Sequence, residues 1–206
     1  DAADPALTPR WLDFYNAQEG VRAIAICAKK AGDVARIPVE AQALAPSRNT
    51  VAKPLRMMIL CVPNVGKSTL MNTLLKRSVA KVGDEPAVTR MQAGFKLGAA
   101  MWIVDTPGMM WPGAAQEAAV RLAATHSIGR NAYDETAVAA WLGGELLARY
   151  PGALSRRYGA PVEGLAPHAV LEWVAARRSL AGKGGGPDTV RAATLLLNDF
   201  RAGALG

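Results

Sequence analysis

The stretch MMILCVPNVGKSTLMN, residues 57–72, joins an apolar run to a helix-forming one through a short loop that ends in Gly66, Lys67 and Ser68. It nearly fits the pattern G-x-x-x-x-G-K-[ST], in which consecutive backbone N–H groups cradle a phosphate chain and the following helix adds its positive end. Pro63, Asn64, Val65, Gly66, Lys67, Ser68 and Thr69 are the residues this pattern sets against the phosphates. Lys67 is expected to reach the β- and γ-phosphates, and the Ser68 hydroxyl to ligate magnesium. The first position is Cys61 instead of glycine. A side chain there is expected to crowd a sharp turn, at a cost of about 1–3 kcal/mol in backbone strain.

A second element lies one hairpin downstream. Asp105, in MWIVDTPG, stands at the end of an apolar strand candidate and suits a magnesium ligand, with Gly108 offering a backbone N–H to the γ-phosphate and a hinge. Between the two, Thr89 in the loop VGDEPAVTR is placed to close over magnesium. Catalytic roles are therefore expected of Lys67, Thr89 and Gly108, and magnesium ligation of Ser68, Thr89 and Asp105.

The part that reads the base is in an unusual place. Nothing in residues 109–206 matches the N-K-x-D loop that reads guanine, and no strand there is fit to carry one. Upstream, AICAKKAG (25–32) resembles the S-A-K loop that backs the base, with Ala28 and Lys29 next to it. The base-reading parts precede the phosphate-reading parts, so the motif order is rotated.

These groups need a scaffold of strands and helices. TPRWLDFYNAQ (8–18) predicts a helix capped by Thr8, with Trp11, Phe14 and Tyr15 on one face. VRAIAICA (21–28) and LRMMILCV (55–62) predict strands, the second buried. Two more strands are expected within 91–105, turning near Lys96–Gly98, and a helix over 114–129. Beyond about residue 133 only helices are expected, over 135–150, 167–180 and 187–203. The last is capped by Asp188 and turns Val190, Ala193, Leu197 and Phe200 to one side. Trp141 and Trp173 suit core packing better than base stacking. The expected fold class is α/β: a P-loop domain with rotated motif order over 1–132, of the GTPase kind if the base-reading loop is the one upstream, then a small all-helical domain over 133–206.

Half of the 206 residues are apolar, enough for a packed core, and no run is long enough to span a membrane. The two cysteines suit buried thiols of a reducing compartment more than a disulfide. His126 and His168 fit no metal-ligand spacing. Net charge is +7, and residues 51–100 carry eight basic against two acidic side chains. Such a balance biases partners toward polyanions.

PNVGKSTLMNTL, VGDEPAVT and DTPGMMWP, in this rotated order, resemble the circularly permuted GTPases of ribosome assembly, of the YlqF/RbgA type with mitochondrial relatives. ATHSIGRNAYDE, LLARYP and LLNDFRAGALG extend the resemblance through the helical tail. It implies a guanine-nucleotide enzyme that hydrolyses GTP slowly by itself and serves maturation of the large ribosomal subunit, with the tail on ribosomal RNA. It implies that Asp1, in DAADPALT, is the final aspartate of N-K-x-D, with earlier residues and an N-terminal histidine cut away. It also implies that Asn64 ligates a potassium ion, and that Met109 stands where other GTPases carry a water-orienting glutamine. Arg149, Arg156, Arg157, Arg177 and Arg178 are the arginines expected on RNA phosphates. A monomer in the cytosol, away from membranes, is the simplest expectation, with organellar targeting left open. Two other readings stand beside it: an inert RNA-binding fragment, and a P-loop NTPase acting on another RNA or on ATP.

Overall fold

A computed structural model describes residues 3–78, 93–108, 116–182 and 184–205. Thr89, Asp1 and Met109 lie outside them. The chain divides into two compact units, one over 4–112 and one from 113 onward.

The first unit is built on a three-stranded sheet, in the order β1-β3-β2. β1 (Leu55–Ile59) runs parallel to β3 (Met101–Asp105), while β2 (Ala93–Leu97) is antiparallel to β3. The register sets Ile59 beside Asp105, so the loop after β1 and the turn after β3 leave the sheet at the same end. Helix α1 spans Thr8–Asn16, α2 Ala31–Val34, α3 Arg36–Leu44 and α4 Lys67–Leu75. Met71 and Leu74 of α4 pack with Val34 and Ile103 as the core of this unit, against Met57, Ile59 and Phe95. Strand side chains alternate between faces, so this seats one face of β1. Met58 (56 % exposed) and Leu60 (60 %) lie on the other, and the expectation of a fully buried strand fails for that face.

Two further expectations are corrected. Residues 21–27 form no ladder among the described residues; the segment is tied instead by the Asn16 side chain, which bonds both the N–H and the carbonyl of Ala23 at 2.8 and 3.2 Å. Thr8 does not cap α1. It lies within the helix, and its hydroxyl donates to the Asp4 carbonyl at 3.0 Å.

The second unit is helical: α5 (Gln116–Ala124), α6 (Glu135–Arg149), α7 (Pro151–Tyr158), α8 (Val170–Arg177) and α9 (Thr189–Arg201). Leu142 and Leu146 of α6, Leu154 of α7, Val170 and Val174 of α8, and Leu196 and Leu197 of α9 share one core. α5 joins it through Ala123 and Ala124, ahead of the boundary drawn at residue 133. Arg201 of α9 donates to the carbonyls of both alanines at 2.9 Å, satisfying the end of α5. Asp134 caps α6 through the N–H groups of Thr136 and Ala137, and Asp188 caps α9 through that of Arg191. Val190 is 64 % exposed, and the inner face of α9 is Ala192, Ala193, Leu196 and Leu197. Trp141 and Trp173 pack against the core, as expected.

Asp199 of α9 holds this unit together on the polar side. It accepts two bonds from Arg157 (2.8 and 2.5 Å) and one from the Tyr158 hydroxyl (3.0 Å). Arg178 lies over the Tyr158 ring at 5.2 Å and donates to the Arg157 carbonyl at 3.0 Å. Burial pushes the Asp199 carboxyl up, but the hydrogen bonds from Arg157 and Tyr158 and the charges of Arg157 and Arg178 outweigh it and hold the group below the usual carboxylate range.

Candidate functional site

The loop between β1 and α4 turns through two left-handed residues, Asn64 (φ 58°) and Gly66 (φ 90°). Alternating backbone hand is what turns successive N–H groups toward one concavity. Asparagine tolerates that conformation and glycine adopts it freely. Among the described residues, no atom beyond its chain neighbours lies within 4 Å of where a Gly66 Cβ would be, so its glycine requirement there is one of backbone angle. Gly66 is also the residue before the first turn of α4, and its carbonyl accepts from Leu70 N at 2.9 Å. Lys67, Ser68 and Thr69 therefore occupy that first turn, where helix N–H groups lack internal partners.

Cys61 behaves differently from expectation. Among the described residues, the non-glycine positions with positive φ are Asn49, Asn64, Lys76, His126 and Ser179, and Cys61 is not one of them. Its backbone angle does not call for glycine. The thiol is half-buried and free. Burial pushes its pKa up, the Lys67 charge opposes this and the Asp105 charge adds to it, so the sulfur is a neutral thiol at pH 7.

At the end of β3, Asp105 is 3 % exposed and ion-paired through Oδ1 with the Lys67 ammonium. The next residue, Thr106, is 2 % exposed and donates to the Ile59 carbonyl at 2.6 Å, pinning the D-T-P-G turn to the end of β1. Gly108 needs to be glycine for a different reason from Gly66. A Cβ there would stand 2.9 Å from Pro63 Cα and 3.1 Å from Pro63 N. The two phosphate-reading segments touch backbone to backbone at that point.

The segment holding Ala28 and Lys29 also reaches this region. Cys27 N–H donates to Asp33 Oδ2 and Lys30 N–H to the Cys27 carbonyl, both at 2.9 Å, closing residues 27–33 into a turn that leads into α2. Val34 of α2 is buried against α4, and the Thr73 hydroxyl of α4 donates to the Ala28 carbonyl at 2.8 Å. The rotated sequence order is thereby undone in space. The loop upstream of β1 sits on the helix that follows the glycine-rich loop.

The structure thus brings Pro63–Thr69, Asp105 and Gly108 together and ties Ala28, next to Lys29, to α4 at Thr73, while Asp1 and Thr89 fall outside the described residues. Thr106 and Thr73 are absent from the sequence reading. Thr106 carries a signal in its place within D-T-P-G, whereas Thr73 has none, because its partner is 45 residues away. A buried carboxylate paired with Lys67, and a serine at the next position of the first helical turn, are hard-oxygen donors of the kind that fit magnesium.

Comparison with known proteins agrees with this geometry. Residues 56–138 match the family described as 50S ribosome-binding GTPase. The chain is 34 % identical to Ribosome biogenesis GTPase A of Priestia megaterium, over all of this chain and 74 % of that protein. It is 32 % identical to the protein of the same name from Bacillus cereus, over all of this chain and 72 % of that one. Among solved structures, GDP-bound YlqF superposes with a TM-score of 0.66 at 24 % identity, covering this whole chain and 77 % of that one.

Proposed function

Because the chain belongs to the ribosome biogenesis GTPase A family, a P-loop GTPase with rotated motif order, we propose that it hydrolyses GTP during assembly of the large ribosomal subunit. The observation that supports this reading is the meeting of the Pro63–Thr69 loop and the Asp105–Gly108 turn at one sheet end, with the 27–33 turn tied to the helix that leaves that loop. A triphosphate needs the first two, and a base lying alongside needs the third.

Lys67 and the N–H groups of the loop bind the β- and γ-phosphates, and Lys67 exchanges Asp105 for them. Magnesium held by Ser68 and Asp105, with Thr89 as a further ligand, supplies positive charge against the phosphate oxygens when bound. Gly108 brings its N–H to the γ-phosphate, and Ala28 and Lys29 back the guanine. Asn64 is the residue assigned to potassium, and Asp1 to the exocyclic side of the base. Chemistry of this kind consists mainly of positioning and charge stabilisation. With Met109 in place of a water-orienting glutamine, turnover of the isolated protein is slow.

Ribosomal RNA is the second proposed ligand, and the arginines proposed for it differ in their pairing. Arg149 pairs with Glu145 at 3.1 Å and Arg157 with Asp199. Arg156 and Arg177 are exposed at the ends of α7 and α8, which meet at the Arg178–Arg157 contact. These two are the arginines for phosphate contact.

The test is GTP turnover in potassium buffer with magnesium, with and without purified large ribosomal subunits. Stimulation of tenfold or more by large subunits, lost with Lys67→Ala, is expected. Equal turnover with and without subunits would overturn the ribosomal reading.

A further inference from the structure

We propose that Thr73 is a positioning residue that sets the distance between the base-reading turn and the phosphate-reading loop; this rests on the reading of residues 27–29 as the turn that backs guanine. The Thr73 hydroxyl lies 2.8 Å from the Ala28 carbonyl and 2.9 Å from the Thr69 carbonyl on its own helix. A helical threonine ordinarily donates its one proton to the carbonyl four residues back. Here the same proton is shared with a segment far away in sequence. The bonds from Cys27 to Asp33 and from Lys30 to Cys27 close the turn on itself and fix its shape. Val34 supplies an apolar seat six residues further on. A seat of that kind is non-directional and leaves the turn free to slide, whereas a hydroxyl-to-carbonyl bond fixes one point.

Ala28 is the point that matters. Its neighbours Cys27 and Lys29 complete the base-backing turn, and Thr73 stands on the helix whose first turn carries Lys67, Ser68 and Thr69. A nucleoside diphosphate spans both parts, so any looseness between them must be frozen out on binding, and pre-fixing the spacing lowers that cost. A ligand made of phosphate alone touches only one part and is indifferent to the tie.

The experiment compares Thr73→Val, which keeps the shape and removes the hydroxyl, with Thr73→Ser, which keeps the hydroxyl. Dissociation constants for GDP and for inorganic tripolyphosphate are measured with magnesium, by competition against fluorescent GDP. The expectation is roughly fivefold weaker GDP binding in Thr73→Val, the size of one ordinary hydrogen bond, unchanged tripolyphosphate binding, and recovery in Thr73→Ser. Equal weakening of both ligands would overturn the proposal, since the bond would then serve the helix alone. Unchanged GDP binding in Thr73→Val would overturn it also. If the unaltered chain binds GDP no better than tripolyphosphate, the base-reading assignment fails, and the proposal falls with it for that separate reason.

Discussion

Two glycines and a cysteine show how differently single positions constrain the same loop. Gly66 is required by its φ of 90° and Gly108 by its approach to Pro63, while Cys61 stands where the pattern has glycine without needing one. Cys61→Gly should therefore change GDP affinity by less than about twofold, a difference within the few tenths of a kcal/mol expected at an unstrained site. A larger gain in a GDP titration would put strain back at that position. Gly108→Ala should behave otherwise. Its new Cβ meets backbone that cannot swing aside, and overpacking of this kind costs about 1–3 kcal/mol. Affinity for a non-hydrolysable GTP analogue should fall about tenfold or more, with a smaller loss for GDP, which lacks the γ-phosphate.

At the scale of elements, α6 offers a paired test. A Cβ on Gly143 would stand 2.9 Å from Val170 Cγ1 and 3.5 Å from Leu196, whereas one on Gly144 meets, among the described residues, Pro167 Cβ alone, at 3.6 Å. Gly143→Leu should lower the stability of the helical unit by about 2 kcal/mol or more. Gly144→Ala should raise it by up to about 1 kcal/mol through helix propensity, and thermal unfolding would separate the two. Elements of this kind differ in how legible they are from sequence. The P-loop, the D-T-P-G turn and the capped helix α9 are local patterns whose residues announce themselves. Residues 21–27 have strand composition, yet a strand is defined by a partner, and none pairs with them among the described residues. α7 goes unanticipated because its apolar positions are few, with Ala153, Leu154 and Tyr158 inside and two arginines outside. The face of α9 is misjudged at Val190 because a helix of 13 residues admits neighbouring stripes, and only the contacts with α6 and α8 choose between them. The Thr73–Ala28 bond has no sequence signature at all.

Charge acts on the molecule as a whole. Asp199 has a folded-state pKa below its unfolded value, so its contribution to stability is fully present above the usual carboxylate range of about pH 4. It is lost as pH falls through the lowered folded value. Acid unfolding of the unaltered chain should therefore show a loss of helical signal below about pH 4 that Asp199→Asn abolishes, having lost that stability at every pH. No helix among the described residues is long and apolar enough to cross a membrane, and the net charge of +7 favours polyanions. The logarithm of the affinity for ribosomal RNA should fall linearly with the logarithm of salt concentration. Replacing Arg156 and Arg177 together by glutamate should flatten that slope, which a filter-binding series over salt would measure.

The central claim is that these segments form one guanine-nucleotide site, and a titration of the unaltered chain with fluorescent GDP in potassium buffer with magnesium tests it most directly. Unlabelled GDP, GTP and ATP serve as competitors. Saturable micromolar binding displaced by GDP and GTP but not by ATP is the result the account predicts. Displacement by ATP as readily as by GTP, or the absence of saturable binding, would contradict it.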